Sequence, residues 1–521
     1  MSEDVKDFSY LAQPTGGDRV WLRILRGGKW AEPVAITDGG EDLYKPAVAV
    51  DGTGRVWVFF SKNVGANKEL TDGNWELMAR AFKDDKLGPV INVSNAPGPD
   101  FAPVAATDSR GRVWVAWQGA RETNFDIFAA VQEGDSFGKP QRVSDSDAND
   151  WDPAIAVNKQ GDVAVAWDTY AKGDYDICLR IARDGKFGPS MPVAGGTEHD
   201  IRPALTYDGQ GRLWVAWEQA GERWGKDNGP TDRGGGLAIY APRQIIFRIW
   251  DGAKWSRPAG EMPLEGKVGK GKGKGEADPT ALQDGFDAGR GMNPSLARLA
   301  TDGQGHVWLA FRGRFGQMRP PVGTVFFEFV SRCTGSRWQV ASWVPNSDNT
   351  LDNRPALAPL KDGGLLLLGS CDERQKQAAG RGGRGKGKKA ADEPAQEGPR
   401  VDPFNNNLYV AQFDPSAFPP AAAADLKLEE IPAPTAAAPL PEVAEELKAV
   451  KTIRDYRVQL GSETLRLMRG EFHRHTEISG DGGGDGPLLD MWRYGLDAAY
   501  MDWIGNGDHD NGNGREYSWW I

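Results

Sequence analysis

Three of the five histidines, His473, His475 and His509, lie beyond residue 465. The run 470–481 (GEFHRHTEISGD) sets His473 and His475 at i, i+2. On a strand such residues share a face, so two imidazoles can chelate one metal ion. Asp481 and Asp485 follow in a Gly-rich loop, and the pair Asp508, His509 comes further on. Imidazole and carboxylate together suit a divalent ion such as Zn, Mn or Fe.

The elements around these residues must bring them together. Residues 465–468 read as a short apolar strand leading into the histidine run. Residues 488–499 have helical spacing, with Leu488, Trp492 and Leu496 on one side. Residues 500–504 are an apolar strand that ends just before Asp508. Strand, loop, helix and strand in that order predict a parallel pair with its ligand-type residues on one rim, where α/β active sites form. Residues 442–454 carry Val443, Leu447 and Val450 on one helical stripe.

With these residues in place, the segment resembles the opening of the PHP (polymerase and histidinol phosphatase) superfamily, metal-dependent phosphoesterases on a distorted β/α barrel. The resemblance rests on His473, His475, Thr476, Ser479, Asp481, Asp508 and His509. It implies a centre of two or three divalent metal ions, with His473 and His475 on the first and Asp481 and His509 on a further one. Gly480 lengthens the step from Ser479 to Asp481, and Gly507 stands where the family commonly has threonine. The family draws further ligands from later strands. Residues 456–521 are therefore expected to be the N-terminal fragment of such a domain, with weak metal binding and negligible hydrolysis alone. The apolar run 517–521 reads as mid-domain sequence.

Upstream, one phrase organises the chain. Residues 108–117 (DSRGRVWVAW) read as a tight turn followed by a strand covered on both faces. The phrase returns at 51–60, 158–167, 208–217 and 302–311, with a degraded copy at 361–370. Each copy follows a short strand opening near proline: Pro46, Pro103, Pro153, Pro203, Pro294 and Pro355. A period near about 50 residues with several short strands per period is the signature of a β-propeller. The predicted fold is all-β, with four strands per blade. Residues 19–37 match the outer strands of one more blade, which makes seven blades, with six as the alternative. Either those strands close the ring on the last blade or the chain begins inside a blade.

The loops before the strands carry a second set of candidates. Asp100, Asp150, Asp200 and Asp352 stand in D-x-x-P, and Gln118, Asp168, Glu218 and Arg312 follow the strand copies. With Trp151 they form a polar ring that suits a sugar or another small ligand at one propeller face. The competing reading is that each aspartate caps its own turn through backbone N–H groups. The run 145–150 begins like a calcium loop but lacks the glycine and glutamate such loops need, so no calcium site is expected there.

The domain plan is a propeller over 1–432, a Pro/Ala linker with a short helix over 433–455, and the PHP-like fragment over 456–521. Low-complexity insertions near 264–278 and 374–400 are expected to be disordered and dispensable. A net charge of −11 argues against a nucleic-acid partner. No apolar stretch is long enough to span a membrane. The N-terminus is acidic and polar, unlike a secretory signal; export is expected only if the true start lies further upstream. Cys178, Cys333 and Cys371 form no C-x-x-C and read as buried thiols. Two function classes remain: a propeller-fused metal-dependent hydrolase, or a non-catalytic propeller that binds glycan or protein. Oligomeric state and substrate are not readable from the residues.

Overall fold

The computed structural model describes residues 17–65, 74–121, 124–225, 243–259, 294–315, 325–334, 354–371, 407–417, 427–476 and 487–507, with Ile239 and most of 337–347. Both low-complexity insertions, as well as Asp352, Asp481 and His509, lie outside the described residues.

Each repeat folds as one antiparallel sheet whose strands pair in chain order. The second blade is Asp100–Thr107, Val113–Arg121, Asn124–Glu133, then Ser136–Phe137 and Gln141–Arg142 on the outer edge. The third repeats it as Asp150–Val157, Val163–Thr169, Asp176–Arg183, Lys186–Phe187 and Met191–Pro192. The repeated apolar phrase is always the second strand, and Val113, Val115 and Trp117 are fully buried. Residues on its two faces enter different inter-blade cores. Val113 and Val115 pack with Trp57 and Phe59 of the blade before, Trp114 and Ala116 with Val163 and Val165 of the blade after.

The turn before that strand is set by one carboxylate. Asp108 Oδ1 accepts from the N–H groups of Arg110 and Arg112, at 2.9 Å each. Its Oδ2 accepts from Arg112 Nε at 2.9 Å and from the indole of Trp114 at 3.1 Å. Asp208 does the same with Gln210, Arg212 and Trp214, and Asp302 with Gln304, His306 and Trp308. These blades thus tie their turn to a tryptophan of the second strand. Neighbouring turns interlock: Gly52 donates to the carbonyl of Gly111 at 2.7 Å, and Gly209 to that of Gly305 at 3.1 Å.

The propeller has six blades, not seven. Residues 19–37 bring no inner pair of strands. They form the short pair Trp21–Leu22 with Val34–Ala35 and a hairpin, Leu25–Arg26 with Lys29–Trp30. Ile36 packs on Val58 and Phe60 of the first blade, as Val143 packs on Val163 and Val193 on Val215. The segment therefore takes the place of the outer edge of the blade before the first. That blade is the sixth, where Ala356–Pro359, Leu365–Cys371 and Asn407–Phe413 form a three-stranded sheet among the described residues. Leu428–Ile431 does not join the last blade but extends the fourth one. It pairs with Trp255–Pro258, with ion pairs from Lys254 to Glu430 and from Arg257 to Glu429. Pro294 also departs from the pattern. Arg298, facing Ala310, takes the register place of Ala154 and Ala204, so Ala297 stands where Pro153 and Pro203 stand.

The chain then crosses the propeller. Ala437 donates to the carbonyl of Gly195 at 2.7 Å, which fastens the Pro/Ala segment. Helix α1, Pro441–Asp455, buries Val443 and Val450, as its stripe predicts. It lies against Gly173, whose φ of +92° and lack of a side chain admit Val443; a Cβ there would stand 2.4 Å from the Val443 methyl. An exposed hairpin follows, Arg457–Leu460 with Glu463–Arg466. The expected strand at 465–468 is thus shifted, and the histidines sit at the end of Gly470–Arg474. Helix α2, Leu488–Asp497, leads to Trp503–Asn506, which pairs parallel with Gly470–Arg474. The predicted strand–helix–strand unit with a parallel pair is present; nothing described here extends it to a barrel.

Candidate functional site

Two places hold the candidate residues, the rim of the parallel pair and the mouth of the propeller. At the rim, His473 and His475 turn their rings toward each other. Their Nε2 atoms stand 2.9 Å apart and their ring centroids 4.8 Å apart. The backbone N–H of His473 is bonded to Glu471 Oε1 at 3.0 Å. Gly507 ends the adjacent strand, and its N–H donates to the carbonyl of Arg474 at 2.8 Å. A Cβ at Gly507 would press on His473 Cα at 3.3 Å and on its ring at 3.4 Å. Glycine at this position therefore leaves the room this ring uses. Two like ring nitrogens at 2.9 Å share a proton or a cation, and the spacing suits two cis ligands on one ion with metal–nitrogen bonds of about 2.0–2.1 Å. Among the described residues no group of three metal-type side chains converges.

At the mouth, the ring expected from the sequence divides into two sets. Asp100, Asp150 and Asp200 do not line the mouth. They are buried in their own blades, where Asp100 accepts from the indole of Trp117 at 2.7 Å and Asp200 from that of Trp217 at 2.5 Å. Asp150 accepts from the hydroxyl of Ser146 at 3.0 Å. Burial pushes Asp100 up to about 6 and Asp150 and Asp200 up to about 7. Arg312 is anchored to Ser295 Oγ at 2.9 Å and stacks on Phe326.

Gln118, Asp168 and Glu218 latch one blade to the next. The inner strands bulge near their start, which places Asp152, Arg202 and Leu296 at φ +47°, +54° and +55°. Their N–H groups donate to Gln118 Oε1 at 3.2 Å, to Asp168 Oδ2 at 2.8 Å and to Glu218 Oε1 at 2.7 Å, each acceptor from the preceding blade. The remaining oxygen of Asp168 and of Glu218 is left to the mouth.

Helix α2 fills that mouth. Its charged face, not its apolar one, is buried: Asp490 is 0 %, Asp497 3 % and Arg493 4 % exposed, while Trp492 and Leu496 are 41 % and 38 % exposed. Asp490 takes Arg202 on one oxygen and Arg243 Nη2, at 2.6 Å, on the other. Arg243 and Arg202 also reach Glu218 Oε2, at 2.8 and 3.3 Å. Arg493 pairs with Asp168 and, at 3.0 Å, with Asp152. Asp497 accepts from Asn149 at 2.6 Å, from the indole of Trp151 at 2.8 Å and from the Tyr175 hydroxyl at 2.6 Å. Tyr175, Trp224 and Tyr494 close the aromatic wall around it.

Electrostatics follow from that burial. Burial opposes charge on Asp152 and Glu218, but Arg202 with Arg493 brings Asp152 down to about 2, and Arg202 with Arg243 holds Glu218 below the usual glutamate range. Burial raises Asp497 to about 6 and lowers Arg243 to about 10. Sequence reasoning missed Asp152, Arg202 and Arg243, and it read α2 by its apolar side. The signal that was present is the spacing of Asp490, Arg493 and Asp497 at i, i+3, i+7, one helical face.

No known protein family matches the chain, and no curated protein matches it. Solved propellers align over part of it. A Dyadobacter fermentans protein of unknown function is 14 % identical over 64 % of this chain and 91 % of its own, with a TM-score of 0.39. A polysaccharide lyase acting on ulvan is 12 % identical over 62 % and 76 %, with a TM-score of 0.42. A Penicillium chrysogenum α-L-arabinanase is 10 % identical over 63 % and 88 %, with a TM-score of 0.37. The six-bladed fold rests on the sheets themselves. No helix among the described residues is long and apolar enough to cross a membrane.

Proposed function

We propose that this chain is a metal-dependent hydrolase of phosphoesterase type, whose propeller carries the first strand–helix–strand of the catalytic unit. The approach of His473 and His475, Nε2 to Nε2 at 2.9 Å, carries the reading. Two neutral imidazoles on one rim fit Zn, Mn or Fe. His473 and His475 would hold the ion, and Asp481 and His509 are the further ligands the family resemblance implies. A bound ion would supply an activated water and polarise a phosphoryl oxygen. The chain's own residues orient the two rings: Glu471 ties the backbone of His473, and Gly507 leaves it space.

The test is Mn2+ or Zn2+ titration of the full chain, followed by hydrolysis of a simple aryl phosphodiester. Specific binding that is lost in His475→Ala, with turnover lost alongside it, is the expected outcome. Equal binding by the parent chain and His475→Ala would sink the reading.

The second reading is a glycan-binding propeller. Trp151, Tyr175 and Trp224 beside Asp168 and Glu218 offer the aromatic planes and polar groups a sugar uses. Those groups lie under α2, so a glycan would reach them only with the helix displaced. Glycan binding by the full chain that is competitive with α2 docking would favour this reading over the first.

A further inference from the structure

We propose that the propeller mouth is a positioning socket for the imidazole pair. Arg202, Arg243, Asp168 and Trp151 bond to α2, and through α2 they set how closely His473 and His475 approach. The inference rests on the metal-site reading above.

Helix α2 is the crossover between the two parallel strands, so its placement fixes theirs. The socket holds it at three levels over two turns. Arg202 and Arg243 of the fourth blade hold Asp490; Asp152 and Asp168 of the third hold Arg493; Asn149, Trp151 and Tyr175 hold Asp497. Three anchors on one face define both the rotation and the height of the helix. From α2 the path is short. Met501 donates to the carbonyl of Gly495 at 2.9 Å, and a Cβ at Gly495 would touch Ile504 at 3.0 Å. Ile504 pairs with Glu471 and Gly507 donates to Arg474, on the strand that carries His473. A second tie confirms the strand's height: Asp502 takes Arg454 of α1 on one oxygen and the N–H of Arg469, at 2.8 Å, on the other.

The bonds are also unusual for a domain contact. A surface helix normally buries apolar residues and exposes charge; α2 buries Asp490, Arg493 and Asp497 beside Met491 and leaves Trp492 and Leu496 exposed. Such a contact is strongly directional, because each buried charge is tolerated only when its partner is in place. It does not slide.

The test uses the full chain, Co2+ as the probe and its visible absorption as a report on coordination geometry. Arg243→Gln, which touches neither histidine, is expected to weaken Co2+ binding by about 10- to 100-fold, the range for residues that orient metal ligands, and to shift the absorption band. The double variant Arg243→Gln/Asp490→Asn, which sets two amides face to face in place of the ion pair while Arg202 keeps one acceptor, should recover part of the affinity. Arg243→Lys should fall between. If Arg243→Gln does not fold, Asp497→Asn carries the same comparison. A folded variant with Co2+ affinity within about twofold of the parent and an unchanged band overturns the proposal. His475→Ala separates the two readings. If it binds Co2+ as the parent does, the metal site is wrong, and the socket is judged on the 15N resonances of the two imidazoles without metal. Those resonances should move in Arg243→Gln, and fixed resonances overturn the proposal.

Discussion

The turns of the blades and the mouth of the propeller use the same chemistry, an aspartate accepting from arginine and tryptophan, over very different spans of chain. Asp108 meets Arg112 and Trp114 four and six residues away. Asp490 meets Arg202 288 residues away, and Asp497 meets Trp151 346 residues away. In a turn, the backbone itself brings the partners together, so the pattern repeats from copy to copy. At the mouth, the third and fourth blades must pack side by side and α2 must lie across them before the partners exist. The third blade shows the difference in the turns. There Asn158 replaces the aspartate and Ala164 the tryptophan, the backbone bond from Asp162 to Asn158 Oδ1 remains at 2.8 Å, and the blade still forms. The mouth has no such redundancy.

The comparison can be broken most sharply at Asp490. Asp490→Ala leaves Arg202 and Arg243 without their shared partner and should cost about 3–5 kcal/mol, as for other buried pairs broken on one side; urea unfolding measures it. If the loss is below about 1 kcal/mol, the mouth is no more than a surface contact. Asp108→Asn should cost less, about 1–3 kcal/mol, because the amide keeps one acceptor for the turn and Asn158 already serves this way in the third blade. An equal loss at both sites would erase the distinction drawn here.

A pH series sharpens it further. Asp100, Asp150, Asp200 and Asp497 titrate at about 6 to 7 in the folded chain, above the usual aspartate value. Between pH 4 and 7 the folded state therefore holds more protons than the unfolded one, and stability falls as pH rises through that window. Asp152, at about 2, and Glu218, held low, act in the opposite sense. Their contribution is present above pH 4 and is lost as pH falls toward 2. The expected melting-temperature profile peaks near about pH 4–5 and declines toward pH 8. A profile flat from pH 4 to 8 would mean that these carboxyls are solvated. The smallest effect belongs to Arg110, whose pairing with Asp184 at 2.7 Å joins two largely exposed side chains. Arg110→Ala should change stability by less than about 0.5 kcal/mol in the same urea titration, and a larger loss would show that surface pairs between blades matter.

Much of the fold was legible because propeller blades are local. The phrase 108–117 marked each second strand, and the stripe Val443, Leu447, Val450 marked the buried side of α1. The blade count was not legible. A half-blade at residues 19–37 looks the same whether it begins a seventh blade or closes the sixth, and only the absence, among the described residues, of an inner strand pair belonging to it separates the two. The place of Leu428–Ile431 was not legible for a like reason, since a short strand carries no label for the edge it joins. The candidate site was half legible. The spacing of His473 and His475 predicts convergence, which is present. The polar ring at the mouth was read as open because α2 was judged by Leu488, Trp492 and Leu496. Hydrophobic periodicity finds the buried side of a helix only where the surface beneath it is apolar, and this one is charged.

What the sequence determined by itself was therefore whatever depends on near neighbours: the turn carboxylates, the buried second strands, the parallel strand–helix–strand and the facing imidazoles. Tertiary structure alone decided that there are six blades, that Asp168 and Glu218 latch one blade to the next, and that Asp490, Arg493 and Asp497 lie inward. The physical reason is that a charge can be buried only opposite its partner, and partners hundreds of residues apart meet only after the third and fourth blades have packed and α2 has docked on them.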